Sequence, residues 1–288
     1  MAPKRDRTLG DWASNAAFVA LVRCLRLCPY STRIRLSGWV FANCLAPVAG
    51  ANRRIRKNLL LIDEEISPTE IARISRAVSN NFGRSIAELY SGREFIDRVS
   101  ETPIEGPGLK YLEKAHREGR PVILAASHFG NYDAWRSALL HRGFRVGAIY
   151  RPMNNTYFNR HYLNAMKTIG EPLFARDTEL RKMLRFLRAG GMVAFGFDQA
   201  FRRGETLTFF GLPAKTPISA AELAVKLKAD LIPIYAIRQP DGLSFRVVTE
   251  EPVPHKEPLE MTQTLNDRLE AIVRQNMGQW LWLHRRWK

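Results

Sequence analysis

The spacing of apolar residues beyond position 55 predicts helices that alternate with buried strands. Ser67 and Glu70 form a capping box around Pro68 at the first helical position, and apolar residues then recur at helical spacing. This pattern predicts a helix over residues 68–90. The uninterrupted apolar run over residues 122–126 is typical of a strand that is buried on both faces.

The same alternation continues to the end of the chain. Further strands are predicted over residues 146–150, 192–197, 231–237 and 245–248. Further helices are predicted over residues 109–118, 133–140, 178–187, 218–227 and 259–277. Strands that alternate with helices predict an α/β fold with a mixed, mostly parallel sheet covered by helices on both faces.

The N-terminal part has a different pattern, so two regions are predicted: a helical, apolar and basic segment over residues 1–55 and an α/β domain over residues 56–288. Residues 36–52 carry no charge, but this run is shorter than the roughly 20 apolar residues of a spanning helix, and Gly38 and Pro47 weaken it. Charged residues also interrupt the only candidate secretory signal, so no cleavage is expected.

Two interpretations of this segment stay open. In the first, it lies in a membrane interface with aromatic side chains at headgroup depth and arginines on anionic lipid, as a membrane-docking segment. The aromatic residues concerned are Trp12, Trp39 and Phe41. In the second, it is the buried helical hairpin of a soluble protein, because apolar runs this short fit both structures.

The net charge of the chain gives information about its partners rather than about its fold. The 288 residues include 44 Lys+Arg and 28 Asp+Glu, which gives a formal net charge of +16. The high content of large apolar and aromatic residues excludes a disordered polycation. Nucleic acid, an anionic membrane and an acidic or phosphorylated partner are each compatible with this charge.

The junction between the strand over residues 122–126 and the next helix is the best candidate for chemistry, since ligands of open α/β sheets bind at the carboxyl ends of strands. His128 and Asp133 fall at this junction. If His128 lies in the loop, with Gly130 allowing a bend and Asp133 in the first helical turn, the carboxylate can hold the Nδ1 proton and leave Nε2 as a general base. The alternative is a core histidine beside an unrelated helix-end charge.

A protein nucleophile is missing from the sequence near His128. There is no G-x-S-x-G elbow, and all three cysteines fall within the first 50 residues. The base would then activate a hydroxyl or amine of a bound acceptor for direct attack, as in a transferase.

Several motifs together resemble a known family. The segment His128-Phe-Gly-Asn-Tyr-Asp133 is similar to the HX4D/E motif of glycerolipid-type acyltransferases. In order along the chain follow Tyr150-Arg151-Pro152, Asp198-Gln199, an F-F-G-L-P-A-K-T-P element at 209–217 and the terminal W-L-H-R-R-W-K. With these elements the chain resembles the late acyltransferases of bacterial lipid A biosynthesis, the lauroyl and myristoyl transferase family.

The resemblance implies transfer of a fatty acyl group from acyl carrier protein (ACP) or coenzyme A to a hydroxyl of a membrane lipid, most simply a lipid A precursor or otherwise another bacterial lipid or glycolipid. His128 would be the base and Asp133 its orienting partner, with no metal or redox cofactor and no covalent intermediate. The implied location is the cytoplasmic face of the inner membrane, with anionic phospholipid as a further partner.

Other candidate substrate-binding residues come from the same motifs. Gly130 and Asn131 follow His128 and could offer backbone N–H groups to an oxyanion. Arg151, at a strand end, could hold a phosphate or oxyanion, and Arg160 follows it. Asp198 also ends a strand and is expected to contact an acceptor sugar or to pair with Arg151, a structural ion pair being the alternative.

Two other classes of function are compatible with parts of the sequence. A nucleic-acid-binding protein would use the positive charge, but no helix-turn-helix, RNA-recognition or zinc signature is present, so no nucleic-acid partner is expected. A thioester hydrolase would use the same pair with water as the nucleophile.

Overall fold

The computed structural model describes residues 8–287, which form helices around one large sheet. The helices are α1 (Leu9–Arg26), α2 (Tyr30–Val40), α3 (Ala46–Val48), α4 (Ala51–Ile62), α5 (Pro68–Leu89), α6 (Arg93–Val99), α7 (Leu109–Glu118), α8 (Tyr132–His141), α9 (Thr156–Ile169), α10 (Leu180–Arg188), α11 (Ser219–Leu227) and α12 (Pro258–Gln275). A π turn at Phe41–Leu45 joins α2 to α3, and a 3₁₀ turn at Met277–Gln279 follows α12.

The strands are β1 (Ile104–Glu105), β2 (Val122–Gly130), β3 (Val146–Tyr150), β4 (Leu173–Ala175), β5 (Met192–Gly196), β6 (Glu205–Phe209), β7 (Leu212–Thr216), β8 (Asp230–Arg238) and β9 (Phe245–Thr249). Seven of them form one sheet in the order β1-β9-β8-β2-β5-β3-β4. Only the β8–β9 pairing is antiparallel in this sheet, and β6 with β7 forms a separate hairpin. The predicted mixed, mostly parallel sheet is confirmed.

Helices cover both faces of the sheet, because apolar side chains point to both faces along β2. Ile123 and Ala125 pack into the core beneath α10, α11 and α12, whereas Val122 and Leu124 pack into the core beneath α7, α8 and α9. Side chains of successive strand residues point to opposite faces, so one apolar strand supplies both cores. The central strand thereby holds a fixed position between two layers of helices.

The predicted elements are confirmed with small shifts at their ends, but some elements were not predicted. Helix α9 and the β6–β7 hairpin are the largest of these. The element at residues 209–217, which the sequence suggested as a wall for an acyl chain or a rigid connector, begins at the end of β6 and ends one residue beyond β7. Phe209 and Phe210 at the tip of the hairpin are buried against Trp280 and Trp282 of the C-terminal segment, residues 280–287, so they belong to the core.

The N-terminal segment is helical. Trp12 and Trp39 are more than half exposed, whereas Phe41 packs edge-on against Phe82 of α5. The predicted boundary after residue 55 falls within α4, which packs on α5, and residues 1–7 of the predicted segment lie outside the described residues. Within residues 8–287, no helix has the length and apolarity needed to cross a bilayer.

Candidate active site

His128 and Asp198 come together at the carboxyl ends of two neighbouring strands. In the parallel pairing of β2 with β5, Ala126 lies opposite Gly196. His128 and Asp198 each follow that pair by two residues, so the register itself sets them side by side. The pairing of β2 with β8 shifts between Ala126 and Gly130, an irregularity of the kind that often re-aims side chains beside active sites.

The carboxylate of Asp198 holds His128 at two points. Oδ1 lies 2.8 Å from Nδ1 of the imidazole, and Oδ2 accepts a 2.7 Å hydrogen bond from the backbone N–H of His128. The indole Nε1 of Trp280 donates to the same Oδ2 at 2.9 Å. Because Asp198 accepts at Nδ1, the neutral imidazole carries its proton there and keeps a lone pair on Nε2.

The electrostatics favour a basic histidine. Burial acts against the charged imidazolium, but the charge of Asp198 and its hydrogen bond outweigh this effect and raise the pKa of His128 above its ordinary value. Burial likewise opposes ionisation of Asp198, yet the imidazole and the N–H donors hold the pKa of this carboxyl below its ordinary range. The aspartate side chain is 1% exposed and that of His128 is 34% exposed, so the pair reaches the surface only through the ring.

Two cavities meet at His128. One has a volume of about 200 Å³ and lies toward the end of β3, where Tyr150 and Arg151 line it. The other, of about 90 Å³, lies between α5 and the C-terminal segment, with Phe82 and Leu281 in its wall. The amide Nε2 of Gln199 lies 3.3 Å from His128 Nε2. A base that lines two cavities can bring two substrates together at Nε2, where a substrate hydroxyl would replace the 3.3 Å contact with Gln199.

The predicted contact between His128 and Asp133 is wrong. His128 lies within strand β2 rather than in a loop, and its Nδ1 is taken by Asp198. Asp133 is buried and pairs with Arg136 across 3.2 Å, one turn along α8. Burial raises the pKa of Asp133, with Arg136 acting in the opposite direction. Asp133 borders both cavities but does not orient the base.

Asn131 caps helix α8. Its Oδ1 accepts from the backbone N–H of Asp133 at 2.9 Å, and its Nδ2 donates to Glu88 at 2.7 Å. Glu88 in turn forms a buried ion pair with Arg238 of β8. The backbone N–H of Asn131, expected to bind an oxyanion, donates to the carbonyl of Ala236 at 3.3 Å, and the side chain ties α8 to α5 and to the sheet.

The remaining predicted residues have separate positions. Gly130 has a φ of +58°, and a Cβ atom there would lie 1.8 Å from the carbonyl oxygen of Ala236, so only glycine fits. Arg151 is exposed on the wall of the 200 Å³ cavity. The expected pairing of Asp198 with Arg151 is wrong, because Asp198 is occupied by His128 and Trp280. Arg160 is exposed on α9 and lines neither cavity at His128, so its role stays a prediction.

The hydrogen bond from Trp280 to Asp198 was not predicted from the sequence. The C-terminal segment returns over the site, where Leu281 donates its N–H to the carbonyl of His128 at 3.0 Å. Asn58 of α4 holds this segment through two carbonyls, those of Trp282 and His284. The cluster of tryptophans suggested a lid, an anchor or an aromatic plug; Trp280 and Trp282 are buried in the core, which argues against an exposed anchor and is compatible with the other two. Lys288 of the terminal motif lies outside the described residues.

The geometry excludes a triad of the serine- or cysteine-protease type at this histidine. Within the described part of the chain, the side-chain partners of the ring nitrogens are Asp198 and Gln199, neither of which is a hydroxyl or thiol nucleophile. The same residues contain no group of three His, Cys, Asp or Glu side chains placed to hold a metal ion. A histidine that lines two cavities is suited to general-base catalysis, with either an acceptor group or water as the nucleophile.

Comparison with known proteins identifies the transferred group. The protein is an acyltransferase, and the chain belongs to the family described as bacterial lipid A biosynthesis acyltransferase, whose model matches residues 4–288.

Curated relatives are distant but extend over most of the chain. A phosphatidylinositol mannoside acyltransferase of Mycobacterium tuberculosis is 24% identical over 98% of this chain and 89% of its own length. A lipid A biosynthesis acyltransferase of Haemophilus influenzae is 24% identical over 94% of this chain and 88% of its own. The lipid A biosynthesis lauroyltransferase of Escherichia coli is 22% identical over 81% and 78%.

Proposed function

We propose that this protein transfers a fatty acyl group from an acyl thioester of ACP or coenzyme A to a hydroxyl of a membrane lipid. The observation that carries the proposal is the His128–Asp198 pair: Asp198 holds Nδ1, His128 lines both cavities, and Nε2 has the weaker 3.3 Å contact with Gln199. A thioester and a hydroxyl that enter from opposite sides can meet at this nitrogen. Membership of an acyltransferase family supplies the group that is moved.

The proposed reaction needs one proton carrier. Nε2 of His128 takes the proton of the acceptor hydroxyl as its oxygen attacks the thioester carbonyl, and Asp198 stabilises the imidazolium that forms. The C–S bond then breaks, the acyl–oxygen bond remains, and the thiolate takes the proton back from the imidazolium. Gly130 and Arg151 are the proposed sources of stabilisation for the tetrahedral oxyanion.

The proposed acceptor is a lipid A precursor, as several relatives are named for lipid A biosynthesis. A second candidate is another phosphorylated glycolipid. It is favoured by the relative named for phosphatidylinositol mannoside, which aligns with 98% of the chain. Either acceptor would present a hydroxyl to His128, so the proposed base chemistry is the same for both.

We further propose that the protein docks on the cytoplasmic face of the inner membrane. Apolar side chains are exposed on consecutive N-terminal elements, including Trp39 at 52%, Leu45 at 41% and Val48 at 91%. Arginines and a lysine of α4 follow directly after them. An apolar surface bordered by positive charge fits an anionic bilayer, and the net charge of +16 favours the same partner and an acidic carrier protein.

Lipid profiling of a deletion strain tests the proposed reaction. The strain should lose one acyl chain from a single lipid species, and the wild-type gene should restore it while His128→Ala, expressed at equal level, should not. An unchanged lipid A with a changed glycolipid would favour the second acceptor. A full lipid profile identical to that of the parent strain would contradict the proposal.

A further inference from the structure

An open basic cleft lies beside the active site. It has a volume of about 860 Å³ and lies between α5 and the turn that joins β8 to β9. Its walls carry five arginines, namely Arg73, Arg76, Arg84, Arg238 and Arg246, and the described residues that line it include no aspartate or glutamate. A cleft lined by charges of one sign concentrates ligands of the opposite sign.

Some of these arginines already have carboxylate partners. Arg73 pairs with Glu70, Arg238 with Glu88, and Arg246 approaches Glu105 at 3.7 Å, all from outside the cleft lining. Within residues 8–287, neither Arg76 nor Arg84 has a carboxylate oxygen within 4.0 Å.

Arg84 donates instead to the side-chain oxygen of Asn80 at 2.5 Å and to the carbonyl of Gly242 at 2.8 Å. Burial and the positive charge of Arg238 lower the pKa of Arg84, and this effect exceeds the opposite influence of Glu88 and Asp241. Within the described part of the chain, Arg76 and Arg84 are therefore the two arginines of the cleft without a carboxylate at ion-pair distance, although Glu88 and Asp241 act on Arg84 from farther away.

The rest of the polar lining consists of side-chain amides. These are Asn80, Asn81, Gln239, Asn276 and Gln279. An amide offers both a donor and an acceptor, which suits sugar or polyol hydroxyls, whereas a planar guanidinium suits phosphate oxygens. The combination matches a ligand that carries both hydroxyls and a phosphate ester.

The cleft continues toward His128 around helix α5. Asn81 and Gln279 belong both to its lining and to that of the 90 Å³ cavity at the base. On the far side, that cavity shares Phe82 and Leu281 with an apolar groove of about 370 Å³. Residues three and four apart share a helix face, so α5 presents the cleft, the cavity and the groove on successive faces.

The groove lies on the exposed apolar elements of the N-terminal segment. Phe41, Leu45 and Ala49 line it. A lipid that spans these spaces would have its charged headgroup in the cleft, a headgroup hydroxyl at His128 and its apolar tails in the groove. The 200 Å³ cavity on the β3 side of His128 would remain for the acyl thioester.

We propose that the basic cleft binds the phosphorylated, hydroxyl-rich headgroup of the acyl-acceptor lipid, with Arg76 and Arg84 on the phosphate. This inference rests on the proposed acyl transfer for the role of the ligand, but the binding itself can be measured without transfer. Coenzyme A also carries phosphates, so the test must separate the acceptor from the donor.

Protection of arginines from phenylglyoxal, mapped by mass spectrometry on the full-length protein, tests the site. D-Glucose 1-phosphate should slow modification of Arg76 and Arg84 more than glucose or inorganic phosphate at equal concentration and ionic strength. Arg117, exposed on α7, is the internal control and should react at an unchanged rate. Equal protection by inorganic phosphate, or equal slowing of Arg117, would overturn the proposal.

Two further protection experiments distinguish a lipid headgroup from a free sugar phosphate and from the acyl donor. Phosphatidylcholine vesicles that contain phosphatidylinositol should protect both arginines, and phosphatidylcholine alone should not. Protection by free sugar phosphate without protection by phosphatidylinositol vesicles would overturn the assignment to a lipid. Protection by coenzyme A in place of the sugar phosphate would assign the cleft to the donor and would also overturn it.

A matched pair of variants completes the test. Arg76→Gln should weaken binding of D-glucose 1-phosphate, followed by ³¹P NMR titration, by about tenfold, the typical value of one hydrogen bond to a charged group. Arg117→Gln should bind as the wild type does. Equal affinity of Arg76→Gln and wild type would contradict the site. Protection and weakened binding in a protein that transfers no acyl group would refute the proposed function alone.

Discussion

At the scale of single residues, the site depends on which carboxylate meets His128. The sequence places Asp133 five residues away and Asp198 at another strand end, and both are chemically suitable. Asp198 is the partner because β2 continues to Gly130 and because its register with β5 places Asp198 beside His128. Local sequence specifies neither the strand end nor the register. The base could thus be predicted from the sequence, but its partner and the donation from Trp280 could not, because both contacts are long-range.

Exchange of each aspartate for asparagine separates the two roles. Asp198→Asn should lower the turnover of acyl transfer by about 10²–10⁴-fold, since the imidazole loses the group that fixes its tautomer and stabilises its charge. Asp133→Asn should instead lower the free energy of unfolding by about 3 kcal/mol, because it leaves Arg136 buried without its ion pair.

Turnover per folded molecule and denaturant unfolding of both variants measure these effects. The account is contradicted if Asp133→Asn reproduces the loss in turnover while Asp198→Asn retains wild-type activity.

The raised pKa of His128 has a consequence for pH dependence. A general base acts in its neutral form, so kcat/KM should be low in acid, rise with pH and level off with a midpoint above the ordinary value of 6.5. In Asp198→Asn, burial remains and the charge that raises the pKa is gone, so the midpoint of the residual activity should move to lower pH. A midpoint that stays unchanged in this variant would argue against the pairing.

At the scale of elements, the spacing of apolar residues predicted the helices and strands whose bounds local sequence determines. The strand over residues 146–150 and the helix over residues 109–118 match the observed bounds. The hairpin turn was missed because Phe210, with φ of 53°, and Gly211 are both left-handed, and a phenylalanine gives no signal for that conformation. Packing of Phe210 against Trp282 accompanies this backbone geometry.

Gly130 ends strand β2, two residues after His128, and its close approach to β8 helps to position the histidine. Gly130→Ala should lower the free energy of unfolding by about 2 kcal/mol and should abolish transfer. The added Cβ would collide with the Ala236 carbonyl and separate β2 from β8. Gly143→Ala is the matched control, since Gly143 also has positive φ but no atom within 4 Å of the added Cβ. It should cost about 1 kcal/mol and leave turnover unchanged. Equal effects of the two substitutions on thermal unfolding and turnover would contradict this role.

At the scale of the whole molecule, α4 and the C-terminal segment pack together beside the site. Asn58 of α4 binds the C-terminal segment, and Trp280 of that segment binds Asp198. The net charge of +16 left three classes of partner open in the sequence. The position of the arginine cleft beside His128, which depends on the packing of α5 against the β8–β9 turn, gives part of that charge a specific proposed use.

Membrane docking can be tested on the same scale. The double variant Trp39→Asp/Val48→Asp should bind anionic vesicles at least about tenfold more weakly in sedimentation assays, because each exposed apolar side chain contributes about 1.5–3 kcal/mol when buried. Leu259→Asp changes an apolar side chain that is 46% exposed on α12 and is the control. Equal binding of the double variant and the control would argue against an N-terminal docking surface.

The most direct test of the central claim is acyl transfer by the purified protein to a defined lipid. Wild-type protein, an acyl-ACP or acyl-CoA donor and a lipid A precursor or phosphatidylinositol mannoside should give a product heavier by one acyl group in mass spectrometry. His128→Ala, with an unchanged thermal unfolding profile and vesicle binding, should give about 10²–10⁴-fold less product. Near-normal transfer by folded His128→Ala would contradict the account.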